Sequence, residues 1–126
     1  MFIQSITSPG FFCFPEVDVL VPFFPSMFPL INKAIPQTFF NRLAMSGQRV
    51  GAQALLDNQV VEGIFGNEEE LQVGALEFAQ QFNKNRWIYG QNKTQMNKQI
   101  LLTMKEEDPA FIINMSKMLW KNLQKK

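Results

Sequence analysis

The sequence contains no histidine. A Ser/His/Asp triad, a Cys/His dyad and a histidine-ligated metal are therefore excluded. Its one cysteine, Cys13, closes no internal disulfide and offers no thiolate cluster for zinc, so no metal site is expected. A single thiol fits a reducing, intracellular compartment. Charged residues are sparse at 18%, and no apolar run reaches the roughly 18 residues, free of charge and proline, that a membrane span needs. The opening Met1-Phe2-Ile3-Gln4 lacks the basic stretch of a signal peptide, and Lys125-Lys126 is not a Ser-Lys-Leu-type peroxisomal address. Internal repeats and low-complexity tracts are also missing.

What is present is enough for one core. The 126 residues are 46% hydrophobic and carry a net charge of +1, the composition of one globular domain or a piece of one. Charge is unevenly spread. Residues 1–83 hold three basic side chains against eight acidic ones, whereas residues 84–126 hold nine against three. That basic last third could attract an anionic ligand or form the solvated face of helices; its lysines are dispersed and not interleaved with stacking aromatics, which argues against nucleic acid. Aromatics run the other way, with nine of the 13 phenylalanines in the first 40 residues, crowded around prolines 9, 15, 22, 25 and 29.

Those five prolines preclude a long helix at the start. A short buried strand is expected over residues 11–14, followed by a tightly turned apolar loop. Ser26 is placed to cap a short helix through Ala34, and Pro36 to open the next, whose Phe39, Phe40, Leu43 and Ala44 recur at the helical period up to Gly47. A short helix over residues 52–58 leads to a strand-like run, Val60-Val61-Glu62-Gly63-Ile64-Phe65. Asn67 before Glu68, Glu69 and Glu70 is a strong helix start, with Leu71, Ala75, Phe78, Ala79 and Phe82 as its core face. Residues 87–104 read as an amphipathic helix with apolar Trp87, Met96, Ile100 and Leu101. After a loop over residues 104–109, Asp108-Pro109 opens a last helix reaching Leu123. The methionines suit core filling or an oligomer contact.

The candidate chemical groups are Glu16, Asp18, Cys13 and the basic end. Glu16 is flanked by Phe14, Pro15, Val17, Phe23 and Phe24, where an ionised carboxylate is costly to bury. Such surroundings suit a general base acting on a weakly acidic C–H. The same spacing also fits a surface glutamate at a strand end.

The run Phe14-Pro15-Glu16-Val17-Asp18-Val19, the later Leu43-Ala44-Met45-Ser46-Gly47-Gln48-Arg49-Val50 and the strand Val60-Val61-Glu62 resemble the second half of the crotonase superfamily, the enoyl-CoA hydratases and isomerases. That family has Pro/Ser/Asn-Glu-x-x-[IL]-Gly, a proline-bearing loop, Thr/Ser-Gly-x-Arg/Lys, an alanine-rich helix and a Gly-Leu-Val strand. The order matches across residues 10–105. Glu16-Val17-Asp18 with Val21-Pro22-Phe23 and Arg86-Trp87-Ile88 is most similar to the 3,2-enoyl-CoA isomerases. The sequence departs from the pattern at Leu20, where the family has glycine, at Gln59-Val60-Val61 in place of Gly-Leu-Val, and at Ala52-Gln53-Ala54-Leu55 in place of Ala-Glu-Glu-Ala.

The resemblance implies the C-terminal part of an α/β crotonase-like fold, mostly α-helical with two or three short strands. Residues 1–66 would be the end of the crotonase core and residues 67–126 a C-terminal helical region, in one domain or half-domain. It implies a single catalytic glutamate, Glu16, that shifts the double bond of a 3-enoyl-CoA to the 2-trans position in fatty acid β-oxidation, in peroxisome or mitochondrion. Phe14, Pro22, Phe23 and Phe24 would line the acyl chain. The substrate is an acyl-CoA thioester, and no cofactor is expected beyond the coenzyme A it carries. In the family the first half supplies the oxyanion hole, so a missing N-terminal half, or a partner chain completing the fold, is expected, in a trimer-type homo-oligomer. Enoyl-CoA hydration and a non-catalytic structural or assembly role are the alternatives.

Overall fold

The computed structural model describes Ile3–Gln4 and residues 10–123, of which it is mostly helical. Two strands of two residues each, β1 (Ile3–Gln4) and β2 (Ile64–Phe65), pair in parallel, with Ile3 opposite Ile64. The helices in chain order are α1 (Glu16–Val19), α2 (Met27–Asn32), α3 (Gln37–Ser46), α4 (Ala52–Asp57), α5 (Glu68–Gln80), α6 (Arg86–Glu106) and α7 (Asp108–Leu123). The expected mostly helical chain with short strands is observed.

The core is built around α3. Phe39, Phe40, Leu43 and Ala44 recur on one face at three- and four-residue spacing and are all buried, joined by Ile35, Val50, Leu55, Val60 and Val61. Gly47 ends α3 at φ 63°, and its N–H donates to the Leu43 carbonyl at 2.9 Å, the left-handed cap that glycine adopts without a Cβ penalty.

The start of α5 is also local grammar. Asn67 Oδ1 accepts from the Glu70 N–H at 2.9 Å, while the Glu70 carboxylate accepts from the Gly66 N–H at 3.0 Å and from Asn67 Nδ2 at 2.9 Å, a reciprocal arrangement of the capping-box type. Asn85 caps α6 in the same manner, accepting from the Ile88 N–H at 3.1 Å.

Several expectations are corrected. Residues 11–14 form no strand: Phe12 makes one isolated antiparallel bridge with Val50, through two bonds of 2.8 and 2.9 Å, and Phe11 is exposed with the Arg49 guanidinium over its ring. The run at residues 60–65 is extended only at Ile64–Phe65, because the chain turns at Gln59, φ 57°, and drops Val60 and Val61 into the α3–α4 core. In α5, Leu71, Ala75 and Phe78 are half-buried and Ala79 is exposed, as is Phe82, which lies beyond the end of the helix, and none is fully buried. In α6, Trp87, Met96 and Leu101 are exposed and Ile100 alone of the four is buried. The loop expected over residues 104–109 shrinks to Glu107, because Phe111 N–H already donates to the Glu107 carbonyl at 3.1 Å as α7 begins.

Ser26 is the most consequential departure. It stands before α2, but its side chain makes no capping bond. Its backbone N–H donates to Asp108 Oδ1 at 3.0 Å and its hydroxyl donates to Asp108 Oδ2, with both residues buried. Asp108, expected as a cap, is instead the first residue of α7 and spends its carboxylate on α2. The Phe24 and Phe111 rings meet edge to face at 5.9 Å, and Lys33 Nζ donates to the Met96 carbonyl at 2.8 Å and to Asn97 Oδ1 at 2.6 Å. These contacts fasten the α6–α7 hairpin to the Phe-rich start.

Candidate functional site

Glu16 opens α1, a single turn closed by the Asp18 and Val19 N–H groups, both donating to the Pro15 carbonyl at 2.9 Å. Leu20 ends that turn in the left-handed region at φ 59°, and the Val21 N–H returns to the Glu16 carbonyl at 3.0 Å. This compact hook fixes the Glu16 backbone and points the chain away again within five residues. The side chain is half-buried, and its Oε2 is buried with no hydrogen-bond partner among the described residues. Buried carboxylate oxygens are ordinarily hydrogen-bonded, to protein or to ordered water.

Of the four residues expected to line an acyl chain, two come together. The Phe14 ring lies 5.7 Å from Phe23, 5.2 Å from Phe12 and 5.0 Å from the buried Phe40, while Phe23 lies 5.5 Å from Phe40 and 5.4 Å from Phe28. Edge-to-face contacts, with a tilted one between Phe23 and Phe28, make these rings one aromatic cluster. Phe24 turns away to Phe111, and Pro22 is exposed. Asp18 sits on the outer side of α1 with its carboxylate against the α-carbon of Gly47, so closely that a Cβ there would collide with it. This contact brings the glutamate turn and the Ser46-Gly47-Gln48-Arg49 turn together. Sequence reasoning passed over that pairing, and the signal was there in the glycine of the second turn.

Cys13 is half-buried and unpaired. Among the described residues there is no group of three or more acidic or sulfur-bearing side chains able to hold a metal ion, and no helix is long and apolar enough to cross a membrane. Two surface cavities lie away from Glu16. One of about 410 Å³ is lined by Phe65, Glu69, Glu70, Val73, Gly74 and Glu77, and one of about 570 Å³ by Phe82, Asn83, Lys84, Arg86, Tyr89 and Gly90.

Comparison of the chain with protein-family models, with curated proteins and with solved structures gives no match in any of the three.

Proposed function

We propose that the chain carries the base of an enoyl-CoA isomerase, with Glu16 taking a proton from C2 of a 3-enoyl-CoA and returning it to C4. The C2–H electron pair passes into the thioester as an enolate, and protonation at C4 re-forms the double bond between C2 and C3. One carboxylate serves as base and then as acid, so no histidine and no redox partner is needed. Fatty acid β-oxidation, peroxisomal or mitochondrial, is the setting this reading implies.

The observation that carries it is backbone conformation. The motif that the sequence resembles has glycine after the glutamate, in the Ser-Gly-x-Arg turn and before the Leu-Val strand. Those three places are Leu20, Gly47 and Gln59 here, at φ 59°, 63° and 57°. Among the described residues, Leu20 and Gln59 are the only non-glycines at positive φ. The two departures at a glycine of the motif therefore fall where the chain adopts a conformation that favours glycine, while the third, Ala52-Gln53-Ala54-Leu55, lies in the ordinary helix α4. The unpartnered Glu16 Oε2 and the adjoining Phe14–Phe23 cluster are a second support, supplying a proton acceptor beside apolar surface.

The enolate needs hydrogen-bond donors, and losing even one such donor typically costs about a hundred-fold or more in rate. In this reading they come from a partner polypeptide or segment that covers the exposed Val17, Val19, Leu20 and Val21. The test is conversion of 3-enoyl-CoA to 2-trans-enoyl-CoA by the protein isolated in its native complex, with Glu16 intact or replaced by glutamine. Turnover unchanged in Glu16→Gln would sink the assignment. The exposed apolar residues around α1 also favour a second reading, a non-catalytic assembly subunit, which predicts no turnover in any complex.

A further inference from the structure

We propose that the outward face of α5 binds the outward face of α7 in a second copy of this chain. Each helix turns one stripe toward the body, with Leu71, Ala75 and Phe78 half-buried in α5, and Asp108 buried with Phe111 and Met115 half-buried in α7. The opposite stripes are the unusual ones. On α5, Glu69, Val73, Leu76 and Glu77 follow at i, i+4, i+7 and i+8, which places them on one face. Val73 and Leu76 are 57% and 66% exposed, bracketed by the two acids. On α7, Ile113, Lys117, Trp120 and Lys121 have the same spacing, with Ile113 54% and Trp120 65% exposed beside two bases.

These two faces complement each other in both respects that matter. Each carries two large apolar side chains and two charges, and the charges are opposite in sign. The cavity of about 410 Å³ between β2 and α5 adjoins the Glu69–Val73–Glu77 stripe and has room for an indole, the side chain that most often anchors an interface. The apolar contacts supply affinity, and the acid–base pairing supplies register and rate of encounter. Each copy offers one face of each kind, and a two-fold arrangement pairs α5 of each copy with α7 of the other, an assembly with no open end. None of these residues belongs to the Glu16 turn, so the pairing stands or falls apart from the isomerase reading.

The test is sedimentation of the full chain at low and high salt, with helicity followed by circular dichroism. A dimer is expected that weakens as salt rises. The charge reversals E69K/E77K and K117E/K121E should each weaken it tenfold or more, and the chain carrying all four should regain it. Val73→Arg should abolish association while the helical signal stays intact. A wild-type chain that stays monomeric, an assembly indifferent to both reversals, or a fourfold variant no tighter than either pair overturns the proposal. If one reversed pair fails to fold, the other pair and Val73→Arg still decide it.

Discussion

Ser26 and Asp108, 82 positions apart in the chain, meet through two hydrogen bonds that use the backbone N–H and hydroxyl of the serine and both oxygens of the aspartate. Both residues are buried. Hydrogen bonds to a charged group contribute about 1.5–3 kcal/mol each, and a buried group left without its partner bears its desolvation penalty uncompensated. Asp108→Ala strands both donors of Ser26, whereas Ser26→Ala removes only the hydroxyl and leaves the N–H bond in place. Asp108→Ala is therefore expected to cost about 2–4 kcal/mol and Ser26→Ala about 1–2 kcal/mol in urea unfolding. Hydrogen exchange along α7 should rise in both. Equal losses for the two variants would mean that the backbone bond contributes nothing.

The Phe40 ring is 0% exposed and meets Phe14, Phe23 and Phe28 at 5.0, 5.5 and 5.9 Å. Truncation to alanine removes the ring that joins the Phe-rich start to α3. A loss of about 3–5 kcal/mol is expected, a large share of the roughly 5–15 kcal/mol by which an ordinary domain is stable. Phe24→Ala, whose one described ring contact is Phe111 at 5.9 Å, should cost less and act on α7. Circular dichroism during thermal unfolding distinguishes the two, since Phe40→Ala should lower the midpoint of the whole cooperative transition by the larger amount.

What was legible in the sequence was whatever a few neighbouring residues decide among themselves. Asn67 with Glu70, the stop at Gly47 and the buried stripe of α3 are all set within a turn or two. Ser26 obeys the same local grammar, a serine ahead of an apolar helical run, yet its donors are claimed by Asp108 from the far end of the chain. No spacing rule reaches across that distance. Gln59 failed for the complementary reason: a left-handed residue that is not glycine leaves no mark in composition, so Val60 and Val61 read as strand while the backbone folds them into the core. At the candidate site, Glu16 and the Phe14–Phe23 pair follow from their proximity in sequence, whereas Phe24 was diverted by Phe111, which local reading could not supply.

The left-handed residues make a stability prediction with a definite sign. A non-glycine in this conformation carries a penalty of about 1–2 kcal/mol, against about 0.5–1 kcal/mol for the greater unfolded-state freedom of glycine. Leu20 is 78% exposed, so its side chain gives up little burial when removed. Leu20→Gly and Gln59→Gly should each raise stability by about 0.5–1 kcal/mol, read as a higher urea midpoint at unchanged slope. Gly47→Ala should do the reverse, losing about 1–2 kcal/mol from its φ of 63°, with the exposed Asp18 carboxylate swinging aside to make room for the Cβ. A midpoint that falls in both glycine variants would contradict the backbone reading on which the isomerase assignment rests.

Glu16 offers the test in which stability and activity part company. A structural carboxylate would hold hydrogen bonds, and its replacement would weaken the fold. Glu16 Oε2 accepts no hydrogen bond from any described residue, so its replacement breaks no bond within the described fold. Glu16→Gln is therefore expected to leave the urea midpoint unchanged or higher, while isomerase turnover in the native complex disappears. Residues kept at a cost to the fold are found where function requires them. Should the variant prove less stable, Glu16 would be a packing residue of the α1 turn, and the proton transfer would have to be assigned elsewhere.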